Sequence, residues 1–138
     1  TAGNLLLARS TQSGTSVEPF GRPLAPGDST EHHLRLMPTL ALVGVASGGV
    51  TVWNQPGAPP VNVKAFEVSQ ATLAPGGVHL AFGTRIGRIA FTELDVGSNV
   101  RNNPARVEGH DSPVLSVEFC RRGRWLATAA ERCWVWAY

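Results

Sequence analysis

Lysine is nearly absent from this chain: Lys64 is the sole one, and the other basic side chains are arginines. Arginine's planar fork suits carboxylates and phosphates, although a GC-rich coding sequence produces the same bias without any physical cause. Charge is scarce as well. Charged residues make up 16% of the chain and the formal net charge is +2, too little to define a nucleic-acid binder, so nucleic acid is not an expected partner. The two cysteines, Cys120 and Cys133, form no disulfide framework and fit no zinc spacing, which points to reduced thiols in an intracellular chain, cytoplasmic or nuclear. No apolar run approaches the roughly 18 residues that a membrane-spanning helix requires. The sequence opens at Thr1 with neither a methionine nor a signal-peptide pattern, so a fragment or a processed chain is expected.

What the chain does contain is turn residues and short apolar runs of period two. Its 138 residues fall in the size range of one domain, 43% are hydrophobic, and 15 glycines and 10 prolines argue for many turns and against long helices. Leu40 to Val45 reads as a strand and Val50 to Trp53 as its hairpin partner across Ser47-Gly48-Gly49. Leu80-Ala81-Phe82 with Ile89-Ala90-Phe91, and Trp125 to Thr128 with Cys133 to Trp136, repeat that arrangement. Three connections read as loops: Pro19 to Glu31, Pro56 to Pro60, and Val96 to Arg106. In the first two, proline removes a ladder donor and confines the segment to loops or edges.

The hairpins recur at fixed intervals. Gly44, Gly48, Val50 and Val52 return as Gly83, Gly87, Ile89 and Phe91, each displaced by 39. Val68, Ala71, Leu73 and Gly77 return as Val114, Val117, Phe119 and Gly123, each displaced by 46. Trp53 and Trp136 close equivalent strands 83 residues apart, which gives a period inside the WD-repeat range of about 40–45 residues.

Gly109-His110, Val114, Val117, Phe119, Gly123, Leu126-Ala127-Thr128-Ala129 and Val135-Trp136, in this order, resemble one WD repeat. The resemblance covers Arg106 to Tyr138, extends over Val63 to Leu94, and reaches the second half of Glu31 to Asn54. It implies an all-β fold of β-propeller blades, each a four-stranded antiparallel sheet, about three in number. Residues 1–30 then read as outer strands of a preceding blade plus a loop, 31–62 as a divergent blade, 63–105 as a WD-like blade and 106–138 as a WD-repeat blade incomplete at its last strand. Trp53, Gly109, His110, Val117, Phe119 and Trp136 are the structural signature. In the family the histidine of the Gly-His pair joins a hydrogen-bond network with an aspartate in the tight turn. Here the turn Ala130-Glu131-Arg132 is shorter and holds no aspartate, and Trp53-Asn54 and Trp136-Ala137 stand in place of the closing Trp-Asp. The expectation is therefore a broken network. Three blades leave bare strand edges and faces, so the remaining blades are expected from a longer polypeptide or from another chain.

Catalytic motifs are missing: the sequence has no Gly-x-Ser-x-Gly elbow, no phosphate loop ending in Gly-Lys-Ser/Thr and no His-Glu-x-x-His. His32-His33 beside Glu31 places two ring nitrogens on opposite faces of a strand, which is no metal site. No enzyme activity and no cofactor are expected. Two basic spots are the candidate partner-binding residues. Arg85 and Arg88 lie beside Gly109 to Pro113, with His110 and Asp111, on what the resemblance makes one rim, where an acidic or phosphorylated protein segment would bind. Arg121, Arg122 and Arg124, after Phe119-Cys120, resemble the Phe-Arg-Arg-Gly motif of the PROPPINs, a family of phosphoinositide-binding propellers, with Cys120 interrupting it. Leu40 to Gly44 and Ala127 to Glu131 also resemble stretches of that family. The expected function is a non-enzymatic protein–protein interaction scaffold inside a larger protein or complex. A phosphoinositide-binding propeller at membranes is the alternative.

Overall fold

The computed structural model describes residues 5–11, 14–21, 33–37, 41–46, 48–55, 57–94, 105–107 and 109–137. They form thirteen strands and, among the described residues, no helix. Strands β1 (Leu5–Thr11) and β2 (Gly14–Gly21) make a two-stranded hairpin. β3 (His33–Leu36), β4 (Leu42–Ala46), β5 (Gly49–Trp53) and β6 (Val61–Lys64) make the first four-stranded sheet. β7 (Val68–Leu73), β8 (His79–Thr84), β9 (Ile89–Glu93) and β10 (Ala105–Val107) make the second. β11 (Ser116–Phe119), β12 (Trp125–Ala129) and β13 (Cys133–Ala137) make a third sheet of three strands. Neighbouring strands are antiparallel meanders throughout.

The expected hairpins β4–β5, β8–β9 and β12–β13 form, and the 46-residue displacement is written into the turns. Between β7 and β8, Ala74 N–H donates to His79 O and Gly77 N–H to Ala74 O. Between β11 and β12, Cys120 N–H donates to Trp125 O and Gly123 N–H to Cys120 O, the same pair of bonds 46 residues on. Both turns place their glycine at positive φ.

Several boundaries differ from the sequence reading. Pro19 to Gly21 belong to β2, where Pro19 sits opposite Leu6 at a register shift, a place in a ladder that tolerates a missing donor. Ala105 and Arg106 are strand, because they find ladder partners in Phe91 and Ala90. The Pro56 to Pro60 segment connects β5 to β6 inside one sheet. Val63 and Lys64 pair with Val50 and Gly49, so they close the first sheet rather than open the next. Arg106 and Val107 close the second in the same way. The sequence repeat is thus offset from the sheet by one strand, the outer strand being bonded to the hairpin before it. Residues 22–31 and 96–104, read as loops, and His32, read on a strand, lie outside the described residues.

The sheets stack face to face. Ala41, Val43, Val45, Val50, Val52 and Val63 of the first meet Val68, Ala71, Leu73, Leu80, Phe82, Ala90 and Leu94 of the second. The other face of the second sheet, with Ala81 and Ile89, meets Val114, Val117 and Leu126, and Phe91, Phe119 and Trp136 pack at the margin. Each fully buried aliphatic side chain contributes about 1.5–3 kcal/mol. Gly83 is what lets the second and third sheets close, since a Cβ there would lie 2.4 Å from Val114 Cγ1.

That packing revises one part of the repeat. Ile89 pairs with Gly83, whereas Val50 pairs with Val45, so the position equivalent to Gly83 is Val45 and not Gly44. The β8–β9 turn is one residue longer than the β4–β5 turn, and a one-residue slip moves a side chain to the opposite face. The tryptophan equivalence is unaffected: Trp53 pairs with Leu42 and Trp136 with Leu126, each a leucine of the preceding strand.

Candidate functional site

The strands run between two rims, and the candidate residues divide between them. One rim carries the β6–β7 loop, the β8–β9 turn and the segment entering β11. These are tied together by Arg85 N–H to Glu67 O (2.7 Å), His110 N–H to Gly87 O (2.8 Å) and Val114 N–H to Thr84 O (3.0 Å). Arg85, Arg88, His110 and Asp111 are therefore brought together, as the sequence reading expected. Arg121, Arg122 and Arg124 are not. They occupy the β11–β12 turn at the far end of the strands, where Gly123 faces Pro75 of the β7–β8 turn. All three are exposed, and a lipid reading of them would place the membrane on the rim opposite His110.

Local chemistry shapes the first rim. Thr84 closes the β8–β9 turn twice: its Oγ1 accepts from Arg88 N–H at 2.9 Å and its own N–H donates to Arg88 O at 2.9 Å. Gly87, at φ 83°, lies so close to the incoming segment that a Cβ would fall 1.9 Å from His110 O. Gly109 is equally constrained, since its Cβ would fall 2.1 Å from Gly87 O.

On that platform the network expected to be broken is complete. His110 Nε2 lies 2.8 Å from Thr128 Oγ1, His110 Nδ1 lies 3.4 Å from Glu131 Oε1, and Trp136 Nε1 donates to Thr128 Oγ1 at 3.0 Å. Ser112 Oγ donates to Glu131 Oε2 at 2.5 Å. The donor order follows from chemistry. The carboxylate only accepts, so the Nδ1 facing it is a protonated ring nitrogen. In the tautomer that carries its proton on Nδ1, Nε2 accepts from the Thr128 hydroxyl, whose oxygen accepts from the indole. Every buried polar group in the chain of bonds is satisfied. Trp134 stacks on Trp136 with centroids 5.6 Å apart and meets the His110 ring edge-on at 6.1 Å. Glu131, in the β12–β13 turn, supplies the carboxylate of this network.

The sequence reading missed Ser112, Thr128, Glu131 and Trp134 as members of this network. A carboxylate in the β12–β13 turn was the available signal. The other sheets lack the device. Trp53 is buried, yet its Nε1 has no partner, because the residue equivalent to Thr128 is Gly44. The second sheet carries Phe82 and Thr92 at these positions.

The hydroxyl of Ser112, with further hydrogen bonds from the Glu131 and Asp111 backbone and from His110, holds the Glu131 carboxyl down at about 2 against an ordinary 4.5. A depressed carboxylate stabilises the folded chain where it is ionised in both states. Its contribution is complete above about pH 4.5 and is lost as pH falls toward 2. Urea denaturation between pH 6 and pH 2.5 should therefore show a shallower acid-side loss of stability in Glu131→Gln than in the parent chain. Identical slopes would mean that the carboxylate is not held in this way. On the opposite rim, burial raises the Cys120 thiol, but backbone hydrogen bonds at Trp125, Arg122, Arg124 and Gly123 outweigh it and lower its pKa.

No group of three or more His, Cys, Asp or Glu able to hold a metal occurs among the described residues, nor a helix long and apolar enough to cross a membrane.

Antiparallel sheets stacked face to face make a propeller-type fold, and comparison with solved structures agrees. The chain is similar to a chain of the crystal structure of the mitotic checkpoint complex, with TM-score 0.57 and 18% identity over 99% of this chain and 44% of that one. It is also similar to a protein from Lactobacillus plantarum, with TM-score 0.53 and 12% identity over 90% of this chain and 43% of that one. The chain thus spans less than half the length of either of these two chains. No protein-family model and no curated protein match it.

Proposed function

We propose that this chain is a non-enzymatic WD-repeat-like propeller segment that works as a protein-interaction scaffold within a larger protein or complex. The observation that carries the reading is the bare apolar face of the third sheet. Trp125, Ala127, Cys133, Val135 and Ala137 of β12 and β13 share that face by register and are exposed, with Ser116 and Glu118 of β11 beside them. The equivalent faces of the first two sheets are each covered by the following sheet. A contiguous apolar sheet face of this kind is buried in the working assembly. The likeness to a chain from a multi-protein complex supports partners that are proteins.

Hydrogen–deuterium exchange and surface labelling of the protein taken from its native source provide the test. The Trp125–Val135 face should be protected there and labelled in the isolated chain. Val135→Lys should fold alone yet fail to enter the native assembly. Equal labelling in both settings would sink the reading.

A further inference from the structure

On the rim of His110, three large apolar side chains stand out of the surface: Phe66 is 88% exposed, Ile86 54% and Leu115 68%. Each lies one residue from the bonds that tie the rim together, Glu67 to Arg85 and Thr84 to Val114. Ser69 Oγ, donating to Val114 O at 2.6 Å, adds a cross-link between β7 and the entrance to β11. The three tips are therefore carried on a common, hydrogen-bonded base. Glu67 is held at φ 57°, the left-handed region that a non-glycine residue enters at a cost, and Phe66 immediately precedes it.

Charges of both signs surround these tips, with cations in a small majority among the described residues. Lys64, Arg85, Arg88 and Arg132 are exposed on the loops and strand ends of this rim. Among the described residues the acidic groups there are Glu67, Asp111 and Glu131, and the Glu131 carboxylate is already accepting from Ser112 and His110. Arg85 and Arg88 flank Ile86 in the turn, and neither pairs with a carboxylate among the described residues. Apolar anchors beside the exposed guanidinium groups of Arg85 and Arg88 match a ligand of apolar side chains flanked by carboxylates. Phe66 is the single aromatic plane of the three tips, and Ile86 and Leu115 offer none on which successive nucleobases could stack.

We propose that the rim formed by residues 64–67, 85–88 and 109–115 binds an extended acidic protein segment that seats one or two apolar side chains against Phe66, Ile86 and Leu115. This deepens the scaffold reading, on which it rests, by assigning a rim and a ligand chemistry.

The probe is a short fluorescein-labelled peptide of Glu, Asp and Ser with two central leucines, followed by anisotropy at low and at physiological salt. Binding should weaken about tenfold in Ile86→Ser and at least as much in Arg85→Glu/Arg88→Glu. It should be unchanged in Arg121→Glu/Arg122→Glu on the opposite rim. Replacing the leucines of the peptide by serine should abolish it. All the substituted side chains are exposed, and circular dichroism verifies that the variants fold. No binding at low salt, binding insensitive to the rim variants, loss in the opposite-rim variant, or tighter binding of oligo(dT) to the same rim would each overturn the proposal. Protection of the Trp125–Val135 face in the native assembly is unaffected by those outcomes, so failure here and failure of the scaffold reading are distinguishable.

Discussion

Trp53→Ala should lower the unfolding free energy by about 3–5 kcal/mol, the largest effect of any single truncation in the first sheet. The indole is 1% exposed and pairs across from Leu42 in a sheet with little room to collapse. Its ring N–H has no acceptor, so the whole stabilisation comes from packing. Trp53→Phe should therefore cost under about 1.5 kcal/mol, since it gives up some area but also removes an orphaned donor. The equivalent Trp136→Phe loses the bond to Thr128 as well and should cost about 1 kcal/mol more than Trp53→Phe. Equilibrium urea denaturation of the four proteins measures the contrast. A Trp53→Phe chain less stable than Trp136→Phe would show that the two tryptophans do not differ in this respect.

Gly87→Ala should destabilise the chain by about 2–4 kcal/mol, far more than a methyl group normally costs on a surface turn. Two effects add: φ 83° is unfavourable for alanine, and the new Cβ would meet His110 O and Ser112 O. The segment 109–112 would have to lift from the turn, taking Ser112 and His110 away from Glu131. The loss should be accompanied by an acid-side slope like that of Glu131→Gln, because the carboxylate regains its ordinary affinity for protons. Gly76→Ala is the control. A Cβ there meets nothing within 4 Å, and the change should stay within about 0.5 kcal/mol. A Gly87→Ala chain as stable as the Gly76→Ala one would remove the close approach as a structural requirement.

The hairpins were legible because antiparallel pairing across a short glycine-bearing turn is a local event. Period two in Leu80-Ala81-Phe82 and Ile89-Ala90-Phe91 already states which residues share a face. The propeller-type class followed from the repeat of those hairpins. The register of β4 was less legible. Gly44 and Gly83 match as letters, but the turns after them differ by one residue, and only the pairing of Val45 with Val50 reveals it. The boundary between repeats was displaced for a related reason: β6 and β10 follow the hairpins they close, and a strand read alone does not say which neighbour it bonds.

The sequence by itself determined an all-β chain, its hairpins, its repeat near WD-repeat length, and Gly109-His110 with Trp136 as a signature worth placing. Each of these rests on spacing along the chain. Only the tertiary structure decided that Glu131 reaches His110 and Ser112, that Arg85 and Arg88 share a rim with His110 while Arg121, Arg122 and Arg124 face the other way, and that Phe66, Ile86 and Leu115 stay in water. Those outcomes depend on how one sheet lies on the next. Gly87 and Gly83 set that distance, and side chains far apart in sequence meet or stay exposed according to it.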